Sequence, residues 1–223
     1  MKRFPLFPAA LFTLVLALLL AACSEEPDEA ATSESGLPYN LVEVTSETIP
    51  GIVIELPYAT TDNSFERQFY PENRCYLLQP TAEKLAKVQA ELQAQGMGIK
   101  IWDGYRPLEV QRQLWKVMPD PQYVADPAKG SRHNRGCAVD ITLVDSQGQE
   151  LEMPTGYDDF SPAASATYLK VSETAANNRK LLFQVMHKHG FRVLDSEWWH
   201  FDSDGWEEHP VLDVQMDELY VLE

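Results

Sequence analysis

One run constrains this chain more than any other: Cys137–Val144, C-A-V-D-I-T-L-V. Its aliphatic and β-branched residues make it the most strand-like stretch of the sequence. Asp140 interrupts it. A bare carboxylate among apolar neighbours costs several kcal/mol unless it is paired or metal-bound. Whatever fold forms must therefore bring a cation to Asp140, either a buried arginine such as Arg135 or a metal ion.

His133 stands seven residues before Asp140 in S-R-H-N-R-G-C-A-V-D. Gly136 between them permits a tight turn that folds the imidazole back toward the carboxylate. A second segment, Glu197–His200, reads E-W-W-H and supplies another imidazole with a carboxylate three residues before it. Two imidazoles and one carboxylate form a three-ligand set that leaves one zinc position open. The remaining carboxylate is then the natural base for an attacking water. Residues three apart point to opposite faces of a regular strand. Joining Glu197 to His200 thus requires a bulge or turn at Trp198-Trp199, or a Glu197 placed ahead of the strand. The plainer reading makes Glu197 a surface residue and the tryptophans core. Of the other histidines, His187 and His189 fall in the last turn of a helix, where they suit its dipole. His209 precedes Pro210 with no partner motif. Arg106, on the turn W-D-G-Y-R-P at Trp102–Pro107, is suited either to holding an oxyanion or to pairing with Asp103.

Around these residues the pattern is mixed. A strand is expected at Gly51–Leu56, ended by Pro57. A helix is expected over Thr81–Gln95, with Thr81 as cap, Leu85, Val88 and Leu92 inward and Gly96 as stop. Gly98–Trp102 alternates like a strand. Pro107 opens a helix whose apolar face carries Val110, Leu114 and Val117. Glu152–Lys170 reads as a long loop, Glu173–His189 as a helix stopped by Gly190, and Phe191–Leu194 and Trp198–Phe201 as the last strands. The absence of a regular βαβ alternation favours α+β.

Residues 1–22 combine Lys2 and Arg3 with an apolar run broken by Pro5 and Pro8, and read as a secretory signal. Leu20-Ala21-Ala22-Cys23 resembles a bacterial lipobox, which makes Cys23 the lipidated residue and residues 23–36 an acidic tether. The catalytic domain is expected over 37–223. The expected product is exported, a membrane-anchored lipoprotein facing the periplasm. Without residues 1–22 the formal charge is 16 − 34 = −18. That charge repels phosphate backbones, so nucleic acid is excluded as a partner. Membrane contact is left to the lipid. An exported chain is able to pair Cys75 with Cys137, and the sequence leaves both that pairing and the oligomeric state open.

The motifs together resemble the D-alanyl-D-alanine dipeptidases, zinc peptidases known from vancomycin resistance. S-x-H-x-x-G-x-A-x-D matches Ser131, His133, Gly136, Ala138 and Asp140. E-W-W-H matches Glu197–His200 and W-D-G-Y-R-P matches Trp102–Pro107. Tyr58-Ala59, Asn63, Tyr157-Asp158 and Asn177-Asn178-Arg179 extend the likeness over about residues 50–202. Cys137 departs from it, where a small Ala or Ser is usual. The resemblance implies an α+β fold, a small antiparallel sheet flanked by helices, shared with zinc D,D-carboxypeptidases and the hedgehog signalling domain. It implies one Zn²⁺ on His133, Asp140 and His200, Glu197 as general base and Arg106 steadying the transition state. Asp158, Tyr58 and Ser131 lie near the substrate by the same resemblance, with Asp159 as an alternative to Asp158 for the substrate's amine. The implied reaction splits D-Ala-D-Ala into two D-alanines. Two other functions share these motifs: a zinc D,D-carboxypeptidase or peptidoglycan endopeptidase, and a non-catalytic zinc- or cell-wall-binding lipoprotein.

Overall fold

The computed structural model describes Met1 and residues 39–220. The signal and tether expected over 1–36, with Cys23, lie outside the described residues apart from Met1. The fold is α+β. A central sheet carries five strands in the order β2 (Val53–Ile54), β4 (Met97–Asp103), β5 (Ala138–Asp145), β7 (Glu197–Ser203) and β6 (Phe191–Leu194). All its pairs are antiparallel except the two-residue edge pair of β2 with β4. The helices are α1 (Gln79–Gln93), α2 (Leu108–Val117), α3 (Glu173–Lys188) and the short α4 (Met216–Tyr220).

Ala138–Val144 is buried along its whole length, as its apolar composition demands. Leu85, Val88 and Leu92 of α1 and Leu182, Val185 and Met186 of α3 complete the core. Ser172 caps α3 by accepting the Ala175 amide at 3.0 Å. Four local expectations shift, the first being the strand expected over Gly51–Leu56, which shrinks to Val53–Ile54. Pro80 in the first turn starts α1 two residues before Thr81, so Thr81 is a buried helical residue instead of the cap. Pro107 is the residue before α2 and not its first. Val117, at the frayed end of α2, is 48% exposed and off the apolar face.

A second sheet was not foreseen: β1 (Leu41–Val44) pairs antiparallel with β3 (Cys75–Leu78). It clamps the two turns that carry the chemistry. The Tyr105 amide donates to the Tyr76 carbonyl at 2.7 Å, and the Leu78 amide donates to the Gly136 carbonyl at 3.0 Å. Gly136 has φ +64°, and a Cβ there would stand 2.8 Å from the Leu78 nitrogen. Gly136→Ala is therefore expected to cost about 1–2 kcal/mol for the left-handed backbone alone. Thermal unfolding checks it, as a fall in Tm of roughly 2–8 °C for a domain of this size.

Candidate metal centre

Strand register assembles the site. Asp103 on β4, Asp140 on β5 and His200 on β7 stand opposite one another across three strands. A bulge at Trp102 shifts the β4 register and brings Asp103 into that row. A larger irregularity solves the E-W-W-H spacing. Val193 faces Phe201 and Leu194 faces Glu197, so Trp198, Trp199 and His200 oppose no β6 residue. Glu197 and His200 thereby turn to the same side, with Glu197 Oε2 3.9 Å from His200 Nδ1. Both tryptophans are core.

His133 enters from a single 3-10 turn, His133–Arg135. Its Nε2 lies 3.1 Å from His200 Nδ1 and 3.3 Å from Asp140 Oδ1, and His200 Nδ1 lies 3.0 Å from Asp140 Oδ1. All three residues are buried. A tetrahedral metal site with bonds of about 2.0–2.1 Å has edges of about 3.3–3.4 Å. The triangle matches within a few tenths of an ångström, and its two nitrogens and one oxygen suit zinc.

The outer atoms of the ligands are fixed. His133 Nδ1 donates to the Gly104 carbonyl at 2.8 Å, which leaves Nε2 with its lone pair facing inward. His200 Nε2 donates to Asp202 Oδ1 at 2.9 Å, which does the same for Nδ1. Tyr157 donates to Asp140 Oδ2 at 3.1 Å. Arg135, the other cation open to Asp140, instead reaches the His209 carbonyl and stacks on Trp206. Asp202 was missed in the sequence. The signal for it was present: one residue beyond His200's neighbour in H-F-D, it shares His200's face of the strand.

Arg106 pairs with Asp103 and also faces the cavity. Its Nε and Nη2 donate to Asp103 Oδ2 at 2.9 and 2.6 Å, and Nη1 donates to Gln111 at 3.0 Å. It also lines the cavity, with Nη2 3.9 Å from Asp140 Oδ2. Burial opposes its charge, but Asp103 together with Tyr58, Tyr70 and Tyr157 more than offsets that and holds its pKa above the usual guanidinium range. Burial likewise pushes Asp140 up, yet the two imidazoles carry it far below the usual carboxylate range. His200 is drawn down by burial and up by Asp140 and Asp202, reaching about 10. A metal taking these ligands must displace protons, so its binding strengthens as pH rises. Burial lifts Glu197 to about 8, with His200 opposing and Asp140 adding.

The cluster opens into a cavity of about 160 Å³ lined by Tyr58, Arg106, Ser131, Asp158 and Glu197 among others. Asp158 accepts from the Tyr58 hydroxyl at 2.7 Å, and burial lifts it to about 7 against that bond. Asp159 instead accepts the Ser161 amide in a turn, so Asp158 is the carboxylate at the cavity. Ser131 Oγ accepts the His133 amide at 3.2 Å. Cys75 and Cys137 are buried free thiols.

Three converged donors beside a spare carboxylate suit a metal-dependent hydrolase. The sequence narrows that class. A family model described as D-ala-D-ala dipeptidase matches residues 39–217. The D-alanyl-D-alanine dipeptidase of Escherichia coli K12 is 40% identical over 163 residues, 73% of this chain and 84% of that one. The D-alanyl-D-alanine dipeptidase of Enterococcus faecium is 28% identical over 176 residues, 70% of this chain and 87% of that one. Among solved structures, an LD-carboxypeptidase is 19% identical with a TM-score of 0.44, covering 83% of this chain and 73% of that one. The chain belongs to the D-Ala-D-Ala dipeptidase family.

Proposed function

We propose that this protein is a zinc enzyme that hydrolyses free D-Ala-D-Ala to two D-alanines. The observation that carries the reading is the inward-facing triangle of His133, Asp140 and His200, with Glu197 beside it in a small cavity. His133, Asp140 and His200 would hold the ion. Zinc bound there supplies a Lewis acid for the scissile carbonyl and acidifies water. Glu197 accepts the proton of the attacking water and passes it to the leaving amine. Arg106, held by Asp103, offsets the charge that develops on the carbonyl oxygen. Asp158, aimed by Tyr58, takes the substrate's ammonium, and Ser131 flanks the bound dipeptide. A cavity of about 160 Å³ falls below the roughly 300–1,000 Å³ of ordinary small-molecule sites, which favours a free dipeptide over a longer stem peptide.

A substrate panel tests this. Turnover is expected on D-Ala-D-Ala and not on the stem pentapeptide; comparable kcat/KM on the pentapeptide would make the enzyme a D,D-carboxypeptidase. Asp158 adds a pH signature. Below its pKa of about 7 it is protonated and neutral, so it loses its pull on the ammonium and kcat/KM falls as pH drops. Asp158→Asn is expected to raise KM and to remove this group's share of the acidic limb, leaving the share set by Glu197. A pH–kcat/KM profile unchanged by the substitution removes Asp158 from the amine site.

The reaction is placed in the cell envelope as part of the same proposal. The lipobox-like Leu20-Ala21-Ala22-Cys23 supports export with lipid on Cys23.

A further inference from the structure

We propose that Arg132 binds the C-terminal carboxylate of the substrate, so that the cavity recognises a dipeptide by both of its charged ends. The inference rests on the reading that a free dipeptide is the substrate. Two arginines line the catalytic cavity, Arg106 and Arg132. Arg106 is committed, with three hydrogen bonds to Asp103 and Gln111. Arg132 is held less tightly: its Nε forms an ion pair with Asp202 Oδ2 at 3.5 Å but makes no hydrogen bond. Its guanidinium lies 4.5 Å over the Trp206 ring, which fixes the plane of the fork, while 40% of the side chain stays exposed. A fixed arginine with donors to spare fits one ligand group above all, a carboxylate.

The two anchors attach to the metal cluster through different ligands. Asp140 leads through Tyr157, whose ring packs 5.8 Å from Tyr58, to Asp158. His200 leads through Asp202 to Arg132. An anionic and a cationic group thus line the same cavity, linked to the cluster through different residues, which matches the two charges of a zwitterionic dipeptide. Arg132 also borders a second hollow of about 330 Å³ shared with Lys129 and Arg135. In a chain of formal charge −16, this cationic corner is a local exception that draws an anion.

The test compares D-Ala-D-Ala with D-Ala-D-alaninamide, which lacks the carboxylate charge, in wild type, Arg132→Gln and Arg132→Lys. Wild type is expected to favour the acid by roughly 10- to 100-fold in kcat/KM, the range of a charged hydrogen bond. Arg132→Gln should bring that ratio close to one, chiefly through KM for the acid, and Arg132→Lys should restore part of it. A merely structural Arg132, acting through Asp202 on His200, lowers kcat for both compounds alike and leaves the ratio intact. That result, or an undiminished preference for the acid in Arg132→Gln with its metal retained, overturns the inference while D-Ala-D-Ala hydrolysis by the wild type stands. A wild type that turns over neither compound overturns the inference together with the reading it rests on.

Discussion

Glu197→Ala is expected to keep its metal and lose D-Ala-D-Ala hydrolysis by about 10²–10⁴-fold, the usual contribution of a positioned general base. That equals roughly 3–5 kcal/mol of transition-state stabilisation. The argument is positional. Glu197 lies beside the ligand triangle but 3.9 Å from its nearest nitrogen, so it faces the centre without completing it. Its fold-stabilising role is small, since no hydrogen bond to its carboxylate competes with burial. Removing it relieves the desolvation of a buried carboxyl, so Tm should change little. Metal content by elemental mass spectrometry, Tm and kcat measured on one preparation separate these effects. Near-wild-type turnover would strip Glu197 of the base role, and metal loss would make it a ligand. Glu197→Gln, which preserves volume, guards against a packing artefact.

The second large effect is expected at Asp140. Asp140→Asn should lose bound metal and, with it, all measurable hydrolysis. The amide keeps the shape of the side chain but removes the charge that His133, His200 and Tyr157 all address. Because the carboxylate is buried among them, breaking the cluster is expected to destabilise the fold by about 3–5 kcal/mol as well. Equilibrium dialysis against zinc followed by metal-to-protein stoichiometry checks the first claim, and urea unfolding of the metal-free proteins checks the second. One tightly held metal per chain in Asp140→Asn would mean that the triangle is a proton-linked network and that the ion binds elsewhere.

Much of this site was legible in the chain because its ligands sit in compact local patterns. An aspartate in an apolar strand is a physical anomaly that announces itself. A histidine three before a glycine, and a glutamate three before a histidine, are short enough to read as units. The supporting residues were harder to see. Asp103 was foreseen only as a competitor for Arg106, whereas it holds Arg106 in the cavity wall. The β1–β3 sheet went unread because β3 acts through Gly136 and Tyr105, which are far away in sequence, whereas Asp202 was within reach of the strand alternation that starts at His200.

The division has a physical origin. Periodicity, turn residues and the cost of an unpaired carboxylate are local quantities, so the amino-acid order alone marked the three long helices, the central strand and the three candidate ligands. Strand pairing is non-local. It decided that Asp103, Asp140 and His200 share one row, that the β7 irregularity swings Glu197 to the side of His200, and that Arg132 rather than Arg106 keeps donors to spare. No window of sequence contains those registers, because each is fixed by which distant backbone groups satisfy one another once the sheet has formed.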